Sequence, residues 1–112
     1  MNLRKIQQLL AAEILWGEEV LDQVEPLCAC GSDLMSDVLA FTKEKTLLLT
    51  GLTNAQVIRT AEMIDLSGII FVRGKRPPQE VITMAQERNL PLLMTKLPLY
   101  ETCGILYSAR SE

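Results

Sequence analysis

The sequence predicts an α/β fold: a three-layer α/β/α sandwich with a mostly parallel sheet, formed as a single domain over residues 1–112. Short apolar runs typical of buried strands alternate with stretches whose apolar residues recur at helical spacing. Strands separated by helices cannot pair as hairpins, so right-handed crossovers and a parallel sheet are expected. A chain of 112 residues is long enough for one hydrophobic core and too short for two ordinary domains.

The composition excludes several classes of partner. Hydrophobic residues make up 48% of the chain, charged residues 22% and aromatic residues 4%, which is typical of a globular protein with an aliphatic core. The net charge of −3 argues against binding to a nucleic acid polymer, which requires clustered Lys and Arg. The apolar runs are far shorter than the ~20 residues that span a membrane. We therefore expect a cytoplasmic protein with neither a nucleic acid polymer nor a membrane as partner.

A helix and a short strand begin the chain. Asn2 is expected to cap a helix that ends near Ala12, because leucine and isoleucine recur within it at helical spacing. Residues 13–17 predict a brief strand that Gly17 stops and that could lie antiparallel at an edge of the sheet. A helical turn is expected over residues 20–24.

Residues 27–39 predict a strand that turns abruptly into a helix. Gly31 permits the tight turn, and either Ser32 or Asp33 is expected to cap the helix. With Asp33 at the N-cap, its carboxylate would accept a hydrogen bond from a free backbone N–H in the first helical turn. The inward-facing residues of this helix are expected to be Leu34, Val38 and Phe41.

Two further strand and helix pairs follow. Residues 46–50 predict a central strand covered on both faces, and Asn54 is expected to cap the helix after it. Residues 69–72 form the most β-prone tetrapeptide of the chain and predict another strand of this kind. Pro78 fits the first turn of the next helix, and Asn89 is a suitable stop. The residues that these two helices are expected to bury are Val57, Ile58, Ala61, Ile64, Val81, Ile82 and Ala85.

The last predicted pair is a strand over residues 92–95 and a helix opened by residues 97–98. The apolar side of this helix is expected to carry Leu99, Cys103, Leu106 and Tyr107.

The three cysteines are interpreted as core residues. Cys28 and Cys30 alternate along a predicted strand, so both point to one face and cannot easily bridge each other. Only Cys103 adds another thiolate and the chain has no His, which leaves a structural zinc site short of its four ligands. Free cysteine commonly behaves as a small hydrophobic residue.

The polar turns after the strands are the predicted binding site. Parallel strands end on one side of a sheet, so the turns after them converge, and each leads to a helix N-terminus that suits anions. The turn at 73–76 adds three of the eleven cations of the chain. We expect these turns to bind a phosphorylated or nucleotide-like small molecule; the alternative is that they are ordinary solvated turns. The predicted ligand-binding residues are Ser32, Asp33, Ser36, Asp37, Thr50, Thr53, Asn54, Arg73, Gly74, Lys75, Arg76 and Thr95.

Catalysis is not indicated. Asp33 and Asp37 lie one helical turn apart with Ser36 between them, which would suit Mg²⁺ or acid–base chemistry, but such residues more often cap a helix. Their charge also suggests that an anion prefers the turn at Arg73. The sequence has no His, no phosphate-binding loop and no nucleophile with a nearby base. It therefore predicts neither catalytic residues nor a metal site, and identifies no cofactor.

Several segments together resemble the DRTGG domain: residues 30–38 with their S-D-L-x-S-D motif, residues 68–74 followed by Pro78, and residues 90–93 before Thr95. The resemblance covers about 13–107, although no literal D-R-T-G-G run is present. It implies a three-layer α/β domain similar to the N-terminal domain of HPr kinase, a fold often found as a dimer beside catalytic or CBS modules. No catalytic residues come with the family.

The function implied by this resemblance is that of a stand-alone, non-catalytic regulatory or ligand-sensing domain that forms a homodimer. One alternative is a protein–protein interaction module that docks on a separately encoded enzyme. Another is an accessory to a phosphotransfer system of the HPr kinase type.

Overall fold

Five strands form one sheet with helices on both faces in the computed structural model, which describes residues 1–110, and the predicted α/β/α fold is confirmed. The elements in chain order are α1 (Leu3–Leu9), β1 (Glu13–Trp16), a 3₁₀ turn (Glu18–Val20), β2 (Cys28–Gly31), α2 (Met35–Phe41), β3 (Thr46–Thr50), α3 (Ala55–Met63), β4 (Gly68–Phe71), α4 (Gln79–Glu87), β5 (Leu92–Met94) and α5 (Leu99–Arg110).

The strand order in the sheet is β1-β5-β4-β3-β2. Strands β2 to β5 are mutually parallel, whereas β1 pairs antiparallel with β5, as expected of an edge strand. The register of β1 is irregular between Ile14 and Trp16. Four carboxyl ends therefore lie on one side of the sheet, and this side carries the predicted site.

The two faces of the sheet bury two hydrophobic clusters. Leu48, Ile69 and Phe71 pack beneath α2, α3 and α4. Leu47 and Leu49, which alternate with Leu48, pack on the opposite face beneath α1 and α5. Both faces of β3 and β4 are buried, which explains their almost continuous apolar sequences.

Three predicted helix boundaries are confirmed by their hydrogen bonds and dihedral angles. Asn2 Oδ1 accepts from the backbone N–H of Lys5 at 2.9 Å, and Asn54 Oδ1 accepts from that of Gln56 at 3.1 Å. Asn89 has a left-handed φ of +54° just after α4. Pro78 is the N-cap residue of α4 and therefore lies one position before its first turn.

The predicted inward face of α2 is wrong at two of its three positions. Met35 and Val38 are buried, whereas Leu34 is 55% exposed and Phe41 is 83% exposed. The helix begins at Met35, one residue later than a cap at Asp33 requires, and this shift rotates the buried stripe. On α5, Leu106 is buried as expected but Tyr107 is exposed.

The cysteines of β2 are half-buried rather than part of the core. Cys28 Sγ lies 2.9 Å from Thr46 Oγ1, and Cys30 Sγ lies 3.6 Å from Thr42 Oγ1. Because β2 is the last strand of the sheet, it has a neighbouring strand on one side only. Its side chains consequently remain partly accessible.

Candidate functional site

Asp33 joins the ends of β2 and β3. Its Oδ1 accepts hydrogen bonds from Thr50 Oγ1 at 3.0 Å and from the backbone N–H of Gly51 at 2.7 Å. The predicted cap of α2 is therefore wrong: Leu34 occupies the N-cap position without a side-chain cap bond. Ser32 Oγ stabilises the turn instead, by accepting from the backbone N–H of Leu34 at 3.1 Å. The Asp33 carboxylate is thus directed at the neighbouring strand end.

Gly51 provides the contact surface for Arg73. A methyl group at Gly51 would lie 2.4 Å from Nη2 of Arg73 and 3.5 Å from Oδ1 of Asp33. A contact of 2.4 Å is far inside van der Waals separation, so the guanidinium fits there only because residue 51 lacks a side chain. The ends of three strands thus meet at one point, which is formed by Asp33 after β2, by Thr50 and Gly51 at the end of β3, and by Arg73 after β4.

The backbone of the turn after β4 is fixed by bonds to the connection between β5 and α5. Arg73 and Gly74 have left-handed φ angles of +59° and +66°. The backbone N–H of Arg73 donates to Leu97 O, and that of Gly74 donates to Thr95 O, both at 2.8 Å. A left-handed conformation is unfavourable for arginine, so these bonds hold its side chain in a defined direction.

The cations of this turn point to different places. Arg76 forms an ion pair with Glu13 of β1 and is directed away from Gly51. Within residues 1–110, the side chains of Arg73 and Lys75 form neither an ion pair nor a hydrogen bond. Two of the three cations therefore retain their full capacity to bind an anion.

The turn after β3 leads directly into α3. The hydroxyl of the buried Thr50 accepts from the backbone N–H of Leu52 at 3.1 Å while it donates to Asp33. Thr53 is half-buried and Asn54 caps the helix. The positive end of the α3 dipole thus begins three residues beyond Gly51.

The side chains of the other predicted site residues do not take part in these contacts. Thr95 is buried, and its Oγ1 donates to Leu10 O at 3.0 Å and accepts from Leu97 N at 3.3 Å. Ser36 and Asp37 are exposed on α2, where their side chains make no hydrogen bond or ion pair with residues 1–110. Over the same residues, no three acidic, cysteine or histidine side chains are grouped as a metal site requires.

The residue that sequence reasoning missed is Gly51. The signal was its position directly after a buried strand and before a helix N-terminus, where a ligand or side chain approaches the backbone.

A separate groove lies away from these polar residues. It has a volume of about 1350 Å³ and runs between α5, the start of α1 and β2. Gly31 lies in its wall, but Asp33, Thr50, Gly51 and Arg73 do not. Burial there raises the pKa of the Cys103 thiol, and the nearby Cys30 adds to the rise, so Cys103 is less reactive than an ordinary cysteine. The polar residues at the strand ends and this groove therefore form two separate surfaces.

Comparisons with known proteins agree with this architecture. One similar structure is the regulatory region of Clostridium perfringens pyrophosphatase, containing CBS and DRTGG domains, complexed with its activator diadenosine tetraphosphate. The TM-score is 0.79 at 20% sequence identity, over 93% of this chain and 45% of the pyrophosphatase chain. This chain thus spans less than half the length of that neighbour.

No curated protein matches the sequence. No helix within residues 1–110 has the length and apolarity needed to cross a membrane. The DRTGG domain family matches residues 5–109. Because this match extends over nearly the whole sequence, the chain belongs to the DRTGG domain family.

Proposed function

We propose that this chain is a non-catalytic regulatory domain that senses a phosphorylated or nucleotide-like small molecule at the strand-end turns. The observation that carries the proposal is the convergence of Asp33, Thr50, Gly51 and Arg73, with a guanidinium that has no partner among residues 1–110. Membership of the DRTGG family supports a regulatory role, as does the nucleotide activator of the similar pyrophosphatase region.

The charges at the site favour a nucleotide over a bare anion. Arg73 and Lys75 offer donors to a phosphate, and the start of α3 adds a positive dipole end. The Asp33 carboxylate repels a phosphate placed beside it but accepts a hydrogen bond from a sugar hydroxyl. A ligand that carries both a phosphate and hydroxyl groups therefore matches the site better than inorganic phosphate does.

The sequence lacks the commonest general base near neutral pH, which supports a binding role. The sequence contains no histidine, and the hydroxyl of Thr50 is buried and both donates and accepts a hydrogen bond. We further propose that the chain acts in the cytoplasm as a homodimer and regulates a separately encoded enzyme. In that arrangement the bound ligand, and not a reaction, would carry the signal.

Calorimetry with charge-reversed variants tests the ligand site. The probes are AMP, ATP and diadenosine tetraphosphate, first compared by thermal shift because a ligand that binds only the folded state raises the melting temperature. Arg73→Glu and Lys75→Glu should each weaken binding of the active probe at least about tenfold, the worth of one charge-assisted contact. Arg59→Glu is the matched control, since Arg59 is exposed on α3. Absence of a thermal shift with all three probes, or equal losses in all three variants, would contradict the proposal.

A protein–protein interaction module is the second candidate. It is favoured by the large apolar side chains exposed around β2 and α2, which include Leu27 at 74% and Phe41 at 83%. On this alternative the nucleotide probes have no effect on melting temperature, and the Arg73→Glu variant behaves like wild type.

A further inference from the structure

The two edges of the sheet are protected very differently. At the β1 edge, the register is irregular between Ile14 and Trp16, and the charged Glu13 pairs with Arg76. Bulges and charges of this kind prevent an edge strand from pairing with another chain. Strand β2 has neither: its pairing with β3 is regular, and its sequence from Cys28 to Gly31 contains no charge and no proline. Within residues 1–110, no strand lies on its outer side.

The backbone groups that β2 presents at this edge follow from the ladder. Cys28 is in register with Thr46 and Cys30 with Leu48, and Ser32 N donates to Leu49 O at 3.0 Å. Alternate residues of a strand face the same neighbour, so within β2 the even-numbered residues bond to β3. The alternation begins only at Cys28, because Leu27 N, just before the strand, donates to Lys45 O at 3.0 Å. The N–H and C=O groups of Ala29 and Gly31 therefore point to the free edge, where they can accept another strand.

The β2 sequence can pair with the same segment of a second copy. When a two-fold axis passes between two antiparallel strands at one residue, that residue lies opposite its own copy. The residue before it then lies opposite the residue after it in the other copy. Cys28, Ala29 and Cys30 read the same in both directions, so an axis at Ala29 pairs Ala29 with itself and places Cys28 opposite Cys30 of a second copy. No other partner is required to satisfy the groups at this edge.

The same two-fold axis would place helix α5 of one copy against helix α5 of the other. Gly31 contacts Leu99 and Cys103, so α5 begins over the end of β2 and runs antiparallel to it. Two copies of α5 would then lie side by side and antiparallel across the groove. This brings Glu101 of the first turn near Arg110 of the last turn in the other copy. Gly104, in the middle of α5, lines the groove and would have nothing within 4 Å of an added methyl group.

We propose that a second copy of this chain docks on the β2 edge, so that two sheets join into a continuous ten-stranded sheet with paired α5 helices. The interface rests on the homodimer of the proposed function but not on its ligand. Its core is the Ala29 pair, and its second layer is the contact of the two α5 helices around Gly104.

Disulfide cross-linking of the native cysteines tests this register directly. Opposed residues that do not exchange hydrogen bonds in an antiparallel pair have Cα atoms about 4.5 Å apart, within the range that a disulfide bridges. Diamide, which is reduced to its hydrazine as it takes up the two thiol hydrogens, should link Cys28 to Cys30 of the other copy. The expected product on a non-reducing gel is a covalent dimer. Cys28→Ser and Cys30→Ser should each abolish it, whereas Cys103→Ser should retain it.

A bulky residue on α5 tests the second layer without disturbing the fold. Gly104→Trp places its side chain in open space in the monomer but between the helices of the dimer, so light scattering should show a shift toward the monomer mass. Gln86→Trp, exposed on α4, is the matched control and should keep the mass of the wild type. A dimer that Gly104→Trp leaves intact and that forms no Cys28–Cys30 link would overturn this interface alone. A wild-type monomer at micromolar concentration would overturn the homodimer as well, while the nucleotide titrations would still test the ligand site.

Discussion

Asp33 and Gly51 are joined by a hydrogen bond of 2.7 Å from the backbone nitrogen of Gly51 to Oδ1 of the carboxylate, across the ends of β2 and β3. The same oxygen accepts from Thr50, so a single carboxylate atom fixes two groups of the neighbouring strand end. This bond sets the position of the surface against which Arg73 lies. Ligand binding and local stability consequently depend on the same few atoms, and substitutions can separate the two effects.

Substitution of Asp33 should mainly lower stability. Asp33→Ala removes the acceptor of a backbone N–H and of a threonine hydroxyl, for which we expect a loss of about 1.5 kcal/mol in the free energy of unfolding. Asp37→Ala, four residues further on an exposed face, should change it by no more than about 0.5 kcal/mol. Urea denaturation of both variants is the measurement. Equal values for the two variants would mean that the Asp33 bonds contribute nothing to stability.

Substitution of Gly51 should mainly affect ligand binding. In Gly51→Ala the new methyl group displaces the Arg73 guanidinium, a flexible group that can move at little cost to the fold. We expect the melting temperature of the free protein to change little and the affinity for the active nucleotide probe to fall about tenfold, as for loss of one charge-assisted contact. Gly104→Ala is the matched control and should bind as the wild type does. Unchanged affinity in Gly51→Ala would show that the position of Arg73 does not matter for the ligand.

Thr95 is expected to act in stability and not in binding. Thr95→Val leaves a buried carbonyl of Leu10 without its donor, which should lower the free energy of unfolding by about 1–3 kcal/mol. The affinity for the nucleotide probe should stay the same. A calorimetric titration that shows weaker binding at unchanged stability would return Thr95 to the ligand site.

The raised pKa of Cys103 gives stability a defined pH dependence. Its thiol has a higher pKa in the folded chain than the ordinary value of 9.0, because burial disfavours the thiolate. The contribution of this group to stability is therefore complete below about pH 9 and is lost as pH rises through the folded pKa. Denaturation curves measured from pH 8 to 10.5 should fall more steeply for wild type than for Cys103→Ala. Parallel curves would exclude this contribution.

The spacing of apolar residues and the residue types at turns and helix caps were sufficient to predict most of the fold. The strand over residues 46–50 is confirmed with these bounds, and the caps at Asn2 and Asn54 form the expected hydrogen bonds. These signals are local, since an apolar run or a capping side chain acts within a few residues of itself. Strand order is set by contacts between distant segments, so these local signals do not predict it.

The prediction that Asp33 caps α2 was wrong for a physical reason that the neighbouring sequence does not reveal. A carboxylate just before a helix normally caps it, but here the backbone N–H of Gly51 and the hydroxyl of Thr50 compete for the same oxygen atom. Those donors arrive from another strand, 17 and 18 residues away in sequence. A local preference that tertiary contacts override is expected at functional sites, and this departure is found in the middle of the candidate site.

The pairing of β1 with β5 has a consequence for how the chain folds. It joins residues near opposite ends of the sequence, and the bond from Thr95 to Leu10 closes a loop of 85 residues. Loop closure of this length costs conformational entropy before any contact compensates for it, so this edge of the sheet should form late, after the local βα units. During synthesis, β1 therefore emerges from the ribosome well before β5 and lacks its hydrogen-bonding partner until β5 has also emerged.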